Sequence, residues 1–76
     1  MYKIETFWDE EAQVWVATSE DVFGLATEAQ SLEDLSKKLK IIIPELLILN
    51  QQISETYQGE ICFEMISRRQ ELIKVA

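Results

Sequence analysis

The hydrophobic period of this chain changes once, at Ser31, and that single switch most narrows the folds open to it. Before it the pattern has period two. Tyr2, Ile4, Thr6 and Trp8 alternate with Lys3, Glu5, Phe7 and Asp9, a run rich in strand formers. A polar break at Asp9-Glu10-Glu11-Ala12 leads into Val14-Trp15-Val16-Ala17-Thr18, and two such runs so close together predict an antiparallel hairpin. Ser19 to Gly24 is the next connection, where Gly24 is free to take a positive φ, and Leu25 to Ala29 reads as a third, short strand. The first part of the chain is therefore expected to be a three-stranded meander.

After the switch the period is helical. Ser31-Leu32-Glu33-Asp34 has capping-box spacing, with Asp34 a weaker reciprocal partner than Glu or Gln. Leu32, Leu35, Leu39, Ile42, Ile43 and Leu46 recur at three- and four-residue steps and fall on one helical face. Glu33 with Lys37, and Asp34 with Lys38, have the favoured i,i+4 order for ion pairs, and acids precede lysines as the helix dipole prefers. Pro44 conflicts with this pattern, since a proline in a helix interior deletes a hydrogen bond and costs about 3 kcal/mol. The expectation is one kinked helix ending near Asn50. Apolar residues on all sides from Ile41 to Leu49 predict deep burial there, against a second subunit.

Gln51 to Gly59 is a polar connection, and Ile61 to Ile66 reads as a last strand, apolar on both sides and therefore well covered. The stretch Arg68 to Lys74 is compatible with a strand-like arm or a helix. A helix between the third and fourth strands lets the fourth lie parallel to the first through a right-handed crossover. The fold class is then α+β: a two-layer β-β-β-α-β sandwich over residues 1–76, one domain with its helix packed on one face of a mixed sheet. A core this small is thin, and oligomerisation is a usual remedy, so a homodimer is expected.

The composition removes several kinds of chemistry. With no histidine the commonest general base at neutral pH is missing, and Ser–His and Cys–His nucleophile pairs cannot form. One cysteine cannot make a zinc site, and two glycines cannot make a phosphate loop or a dinucleotide fingerprint. No cofactor is expected, nor catalysis. Cys62, flanked by Ile61 and Phe63, is expected to be a buried thiol in a reducing compartment. Met1 to Glu5 carries charge where a leader would be apolar, and Ile41 to Leu49 is too short to span a bilayer, so no membrane association and a cytoplasmic location are expected.

Fourteen acidic against seven basic side chains give a formal net charge of −7. Phosphate neutralisation needs Lys and Arg, so direct nucleic acid binding is not expected; Arg68, Arg69 and Lys74 read as a solvated tail. An acidic domain suits a basic protein, because complementary fields speed encounter. The candidate partner-binding residues are the acids of the two turns, Asp9, Glu10 and Glu11, then Glu20 and Asp21. Solvated turns are a better reading of these clusters than a metal site, although Asp9, Glu11 and Asp21 are the set a metal-dependent nuclease would use. Trp8 and Trp15, on neighbouring strands, are read as core of the small sheet.

The string Phe7-Trp8-Asp9-Glu10-Glu11-Ala12-Gln13-Val14-Trp15-Val16-Ala17, its continuation Ser19 to Ala29, Ser31-Leu32-Glu33-Asp34-Leu35, and Ile43-Pro44-Glu45-Leu46-Leu47 with Asn50 resemble the HicB-like antitoxin domains. The likeness is to a short branch that lacks the C-terminal DNA-binding domain of longer HicB proteins, and it covers roughly residues 2–50. It implies a partial ribonuclease-H-like fold, and a role in neutralising a small basic ribonuclease toxin of the HicA type. The alternative is a solitary HicB-like structural or regulatory module that self-assembles without a toxin.

Overall fold

The computed structural model describes residues Met1–Ala76. Four strands and one helix follow in the expected order: β1 (Tyr2–Asp9), β2 (Val14–Thr18), β3 (Ala26–Ala29), α1 (Leu32–Leu49) and β4 (Phe63–Arg68). They form one mixed sheet with strand order β3-β2-β1-β4, in which β4 runs parallel to β1 and the other neighbours are antiparallel. The fold is therefore the α+β, two-layer arrangement read from the periods. No helix is long and apolar enough to cross a membrane.

Alternation decides which residues enter the core. Ile4 and Thr6 of β1, Ala17 of β2 and Ala29 of β3 share one face and are buried beneath α1. The helix answers with Leu35, Leu39, Ile43 and Leu47, a stripe at four-residue steps. Val22 and Leu25, from the loop between β2 and β3, close one end of this core. The hydroxyl of Thr6, the one buried polar residue, donates to Ser67 Oγ at 2.7 Å and so joins β1 to β4 without stranding a polar atom.

Both ends of α1 are fastened. Ser31 caps the first turn, its Oγ accepting from the Asp34 amide at 3.1 Å. At the other end Gln51 takes φ 59, its amide donates to Ile48 O, and the Gln52 amide donates to Leu47 O, which is a Schellman closure without glycine. Pro44 lies inside a continuous helix, so α1 accommodates it without a second start.

Several expectations need correction. The third strand begins at Ala26 and not at Leu25, because Leu25 turns into the core. Within the single chain residues 41–49 are not buried all round: Ile41 is 65% and Leu49 76% exposed, since α1 packs on the sheet along one side only. Cys62 is exposed, not buried. Ile61, Phe63 and Met65 turn toward the helix side, which leaves Cys62, Glu64 and Ile66 on the uncovered side of an edge strand. The Glu33–Lys37 and Asp34–Lys38 ion pairs do not form; Lys38 Nζ instead reaches across to the Glu28 carbonyl oxygen at 2.7 Å.

Residues 69–76 follow β4 without regular structure and are exposed. The radius of gyration is 14.7 Å, against about 11 Å for a compact chain of this length, and the long dimension is 60 Å against 20 Å and 19 Å.

Candidate functional site

The two acidic turns lie at opposite ends of the sheet. Asp9 ends β1 at the hairpin, whereas Glu20 and Asp21 follow the far end of β2, beside the start of β1. They do not converge, and no three His, Cys, Asp or Glu side chains come within reach of one metal ion. The set Asp9, Glu11 and Asp21 is thus divided between the two ends.

Three of the five acids are occupied in holding their own turns. Asp9 Oδ1 accepts from the Ala12 amide at 3.2 Å, and the Asp9 carbonyl accepts from Gln13, whose φ of 57 closes the hairpin. Glu10 Oε2 accepts from the Trp8 indole at 2.6 Å. Asp21 Oδ2 accepts from the Lys3 amide at 2.8 Å. Around Asp21 the loop is tied further, with Ser19 Oγ donating to Lys3 O and the Gln52 side-chain amide donating to Asp21 O. Asn50 Nδ2 donates to Phe23 O at 2.6 Å, so the helix end and this loop brace each other. Glu11 and Glu20 make no hydrogen bond within the chain and stand free in solvent.

The two tryptophans are half-buried and not core. They oppose each other in register, with ring centroids 5.6 Å apart at 61°, an edge-to-face pair. Trp15 leans on the core, while Trp8 sits at its margin and carries Arg69 over its ring at 4.5 Å. Arg69 is therefore not a free tail cation, and neither is Arg68, whose guanidinium lies 3.6 Å from the Glu5 carboxylate. Both groups of that pair are largely exposed, so its contribution to stability is small. An open cleft of about 1130 Å³ lies between Trp8, Glu10 and residues 67–72.

A surface not anticipated in the acidic turns is the bare face of the sheet. Phe7 is 42% and Ile66 39% exposed there, with Val14 and Val16 half-buried beside them. Phe7 stands opposite Val16 and the two form an apolar pair, whereas Ile66 stands opposite Glu5 and is separated from Phe7 by the Glu5–Arg68 ion pair. Glu28 and Glu64 stand at the margins of the same face and Glu5 lies within it, paired with Arg68; Lys3 is the other cation there. The signal was present in the sequence as the odd positions of the first strand and the even positions of the last. It became legible only when the helix was seen to cover the opposite face.

Residues 1–75 match the family described as a domain of unknown function, DUF1902, and the chain belongs to that family. Among solved structures it is similar to a hypothetical protein, TTHA1013, from the extremely thermophilic bacterium Thermus thermophilus, at 39% identity and a TM-score of 0.65 over 97% of each chain. No curated protein matches.

Proposed function

We propose that this member of the family is a non-catalytic protein-binding module, the antitoxin of a HicA/HicB-type pair that sequesters a small basic ribonuclease. The observation that carries the reading is the bare sheet face, where Phe7 and Val16 form an apolar pair, Ile66 lies beyond the Glu5–Arg68 ion pair, and Glu28 and Glu64 stand at the margins. An apolar patch rimmed by charge is the usual anatomy of an interface, and the sign of the rim selects a basic partner. A formal charge of −7 supplies long-range attraction in the same sense. Glu11 and Glu20 add free negative charge at either end of the sheet and steer the approach, whereas Asp9, Glu10 and Asp21 keep their structural bonds. The likeness of the Phe7 to Ala17 segment to HicB-like domains supplies the partner class.

The test is co-expression with the product of the small reading frame adjoining this one. Growth arrest by the neighbour alone, relieved by this chain in a complex that co-purifies, supports the antitoxin role. Absence of toxicity and of a complex refutes it, and leaves the reading of a solitary self-assembling module. That second reading is favoured by a separate feature, the unpaired edge of β4.

A further inference from the structure

The two edges of the sheet are finished differently. The β3 edge is only Ala26–Ala29, and Lys38 Nζ occupies the Glu28 carbonyl oxygen. Short edges and lysines are the usual devices that prevent strand addition. The β4 edge has neither. Its pairing to β1 also fixes which main-chain groups are free. Tyr2 stands opposite Phe63 and its amide donates to Cys62 O at 3.1 Å. In a parallel ladder this turns the N–H and C=O groups of the even-numbered residues of β4 toward β1. Those of Phe63, Met65 and Ser67 point outward and meet no other strand.

We infer that this edge pairs antiparallel with the same edge of a second copy, about a two-fold axis through Ile66. A two-fold axis perpendicular to the sheet keeps each residue on its own face, so partners must share parity, and charge picks the register. With Ile66 opposite the partner's Ile66, Glu64 falls opposite the partner's Arg68, and the pair occurs twice by symmetry. The outward groups of Phe63, Met65 and Ser67, with those of Arg69, then form about eight main-chain hydrogen bonds. The continuation of each chain runs beside the loop that precedes the partner's β4. Residues 69–76 extend past β4 in a molecule 60 Å long, and their apolar side chains Leu72, Ile73 and Val75 are 86–92% exposed. Exposure of that order gives them no cover within the chain, and in this register they run beside residues 57–60 of the second copy. The paired sheet has eight strands, with both helices on one face and both bare faces on the other. This pairing is independent of the antitoxin reading.

Cys62 makes the register measurable. In the proposed pairing it lies opposite the partner's Gln70, at a non-hydrogen-bonded position where Cα atoms approach to about 4.5 Å, which a disulfide spans. Within one extended chain the same two positions are about 26 Å apart. The full-length chain is sedimented first, and a mass of twice 8.9 kDa is expected. Gln70→Cys, treated with diamide, is expected to form a reducible covalent dimer joining Cys62 to position 70 by peptide mapping, and wild type and the Cys62→Ser, Gln70→Cys double variant to form none with that linkage. Ile66→Lys places two ammonium groups together on the axis while leaving the core untouched, and is expected to sediment at the single-chain mass with an unchanged circular dichroism spectrum. A wild-type chain that sediments as a monomer at 100 μM overturns the inference. So does an oligomer in which Gln70→Cys gives no linkage from position 62 to position 70, and that result decides the matter even where Ile66→Lys fails to fold.

Discussion

Leu39 and Ile41 stand two residues apart on α1, are of equal size, and are expected to respond to truncation to very different extents. Leu39 has no exposed surface and lies in the middle of the stripe that meets the sheet. Leu39→Ala removes three buried carbons and leaves a cavity that a thin two-layer core collapses only in part, for a cost of about 3–5 kcal/mol. A chain of this length has roughly 4–11 kcal/mol of total stability, so the change removes between a quarter and all of it. At about 4–8 °C per kcal/mol, the midpoint falls by at least ~12 °C. Ile41 is 65% exposed. Ile41→Ala forfeits about a third of a full side-chain transfer energy, below ~1 kcal/mol, and the better helix propensity of alanine returns a few tenths. Its shift is expected within about 0.5 kcal/mol. Urea unfolding followed by circular dichroism at one fixed protein concentration separates the two, with the slope unchanged so that the midpoints compare directly. Equal shifts, or a larger one for Ile41→Ala, would refute the placement of α1 with its Leu35–Leu47 stripe against the sheet.

Two positive-φ positions give a matched pair. Gln51→Gly is expected to stabilise by about 1 kcal/mol, because φ 59 at the helix terminus strains a residue with a Cβ. Gly24→Ala is expected to destabilise by a similar ~1 kcal/mol, because φ is 81 while nothing lies within 4 Å of the added methyl, so the cost is purely conformational. Thermal melts of both variants check the signs. Ser31→Ala removes the oxygen that accepts from the Asp34 amide and is expected to cost about 1 kcal/mol in the same assay. The triple reversal Glu5→Lys, Glu28→Lys, Glu64→Lys is expected to slow association with a basic partner by 10-fold or more at low salt and to flatten its ionic-strength dependence, measured by stopped flow.

Elements that answer to local rules were legible in the sequence. The cap at Ser31, the Leu35, Leu39 and Ile43 part of the helix stripe (though not Leu47, which takes the place expected of Leu46), the hairpin across residues 10–13 and the strand order all follow from period, capping and handedness. What escaped depended on which of two faces is covered, and a period-two pattern does not say. Phe63 and Met65 alternate with Cys62, Glu64 and Ile66 in a run that is apolar on both sides, and only the crossing of α1 over β2 and β3 makes one side open. The exposure of Cys62, and the patch around Phe7 and Ile66, follow from that. Residue type misled in the same way at Asp9, Glu10 and Asp21. A free surface carboxylate and one that closes its own turn have the same composition and differ only in the amide or indole they meet.

The unequal edges also determine how far such an assembly grows. A sheet with two open edges adds strands head to tail without end, which is the geometry of fibres. Here the β3 edge is short and one of its carbonyls is held by Lys38, while the chain leaves it at once into the cap of α1. Growth is therefore possible only at β4, and pairing β4 with its own copy consumes the one edge each chain offers. Closure at two copies follows from this asymmetry. Because the axis is perpendicular to the sheet, the pairing leaves both bare faces pointing the same way, with Ile66 and its symmetry mate at the centre and Phe7 on either side. A basic partner that recognises one face then meets a second beside it, and the acidic rim acts over twice the area.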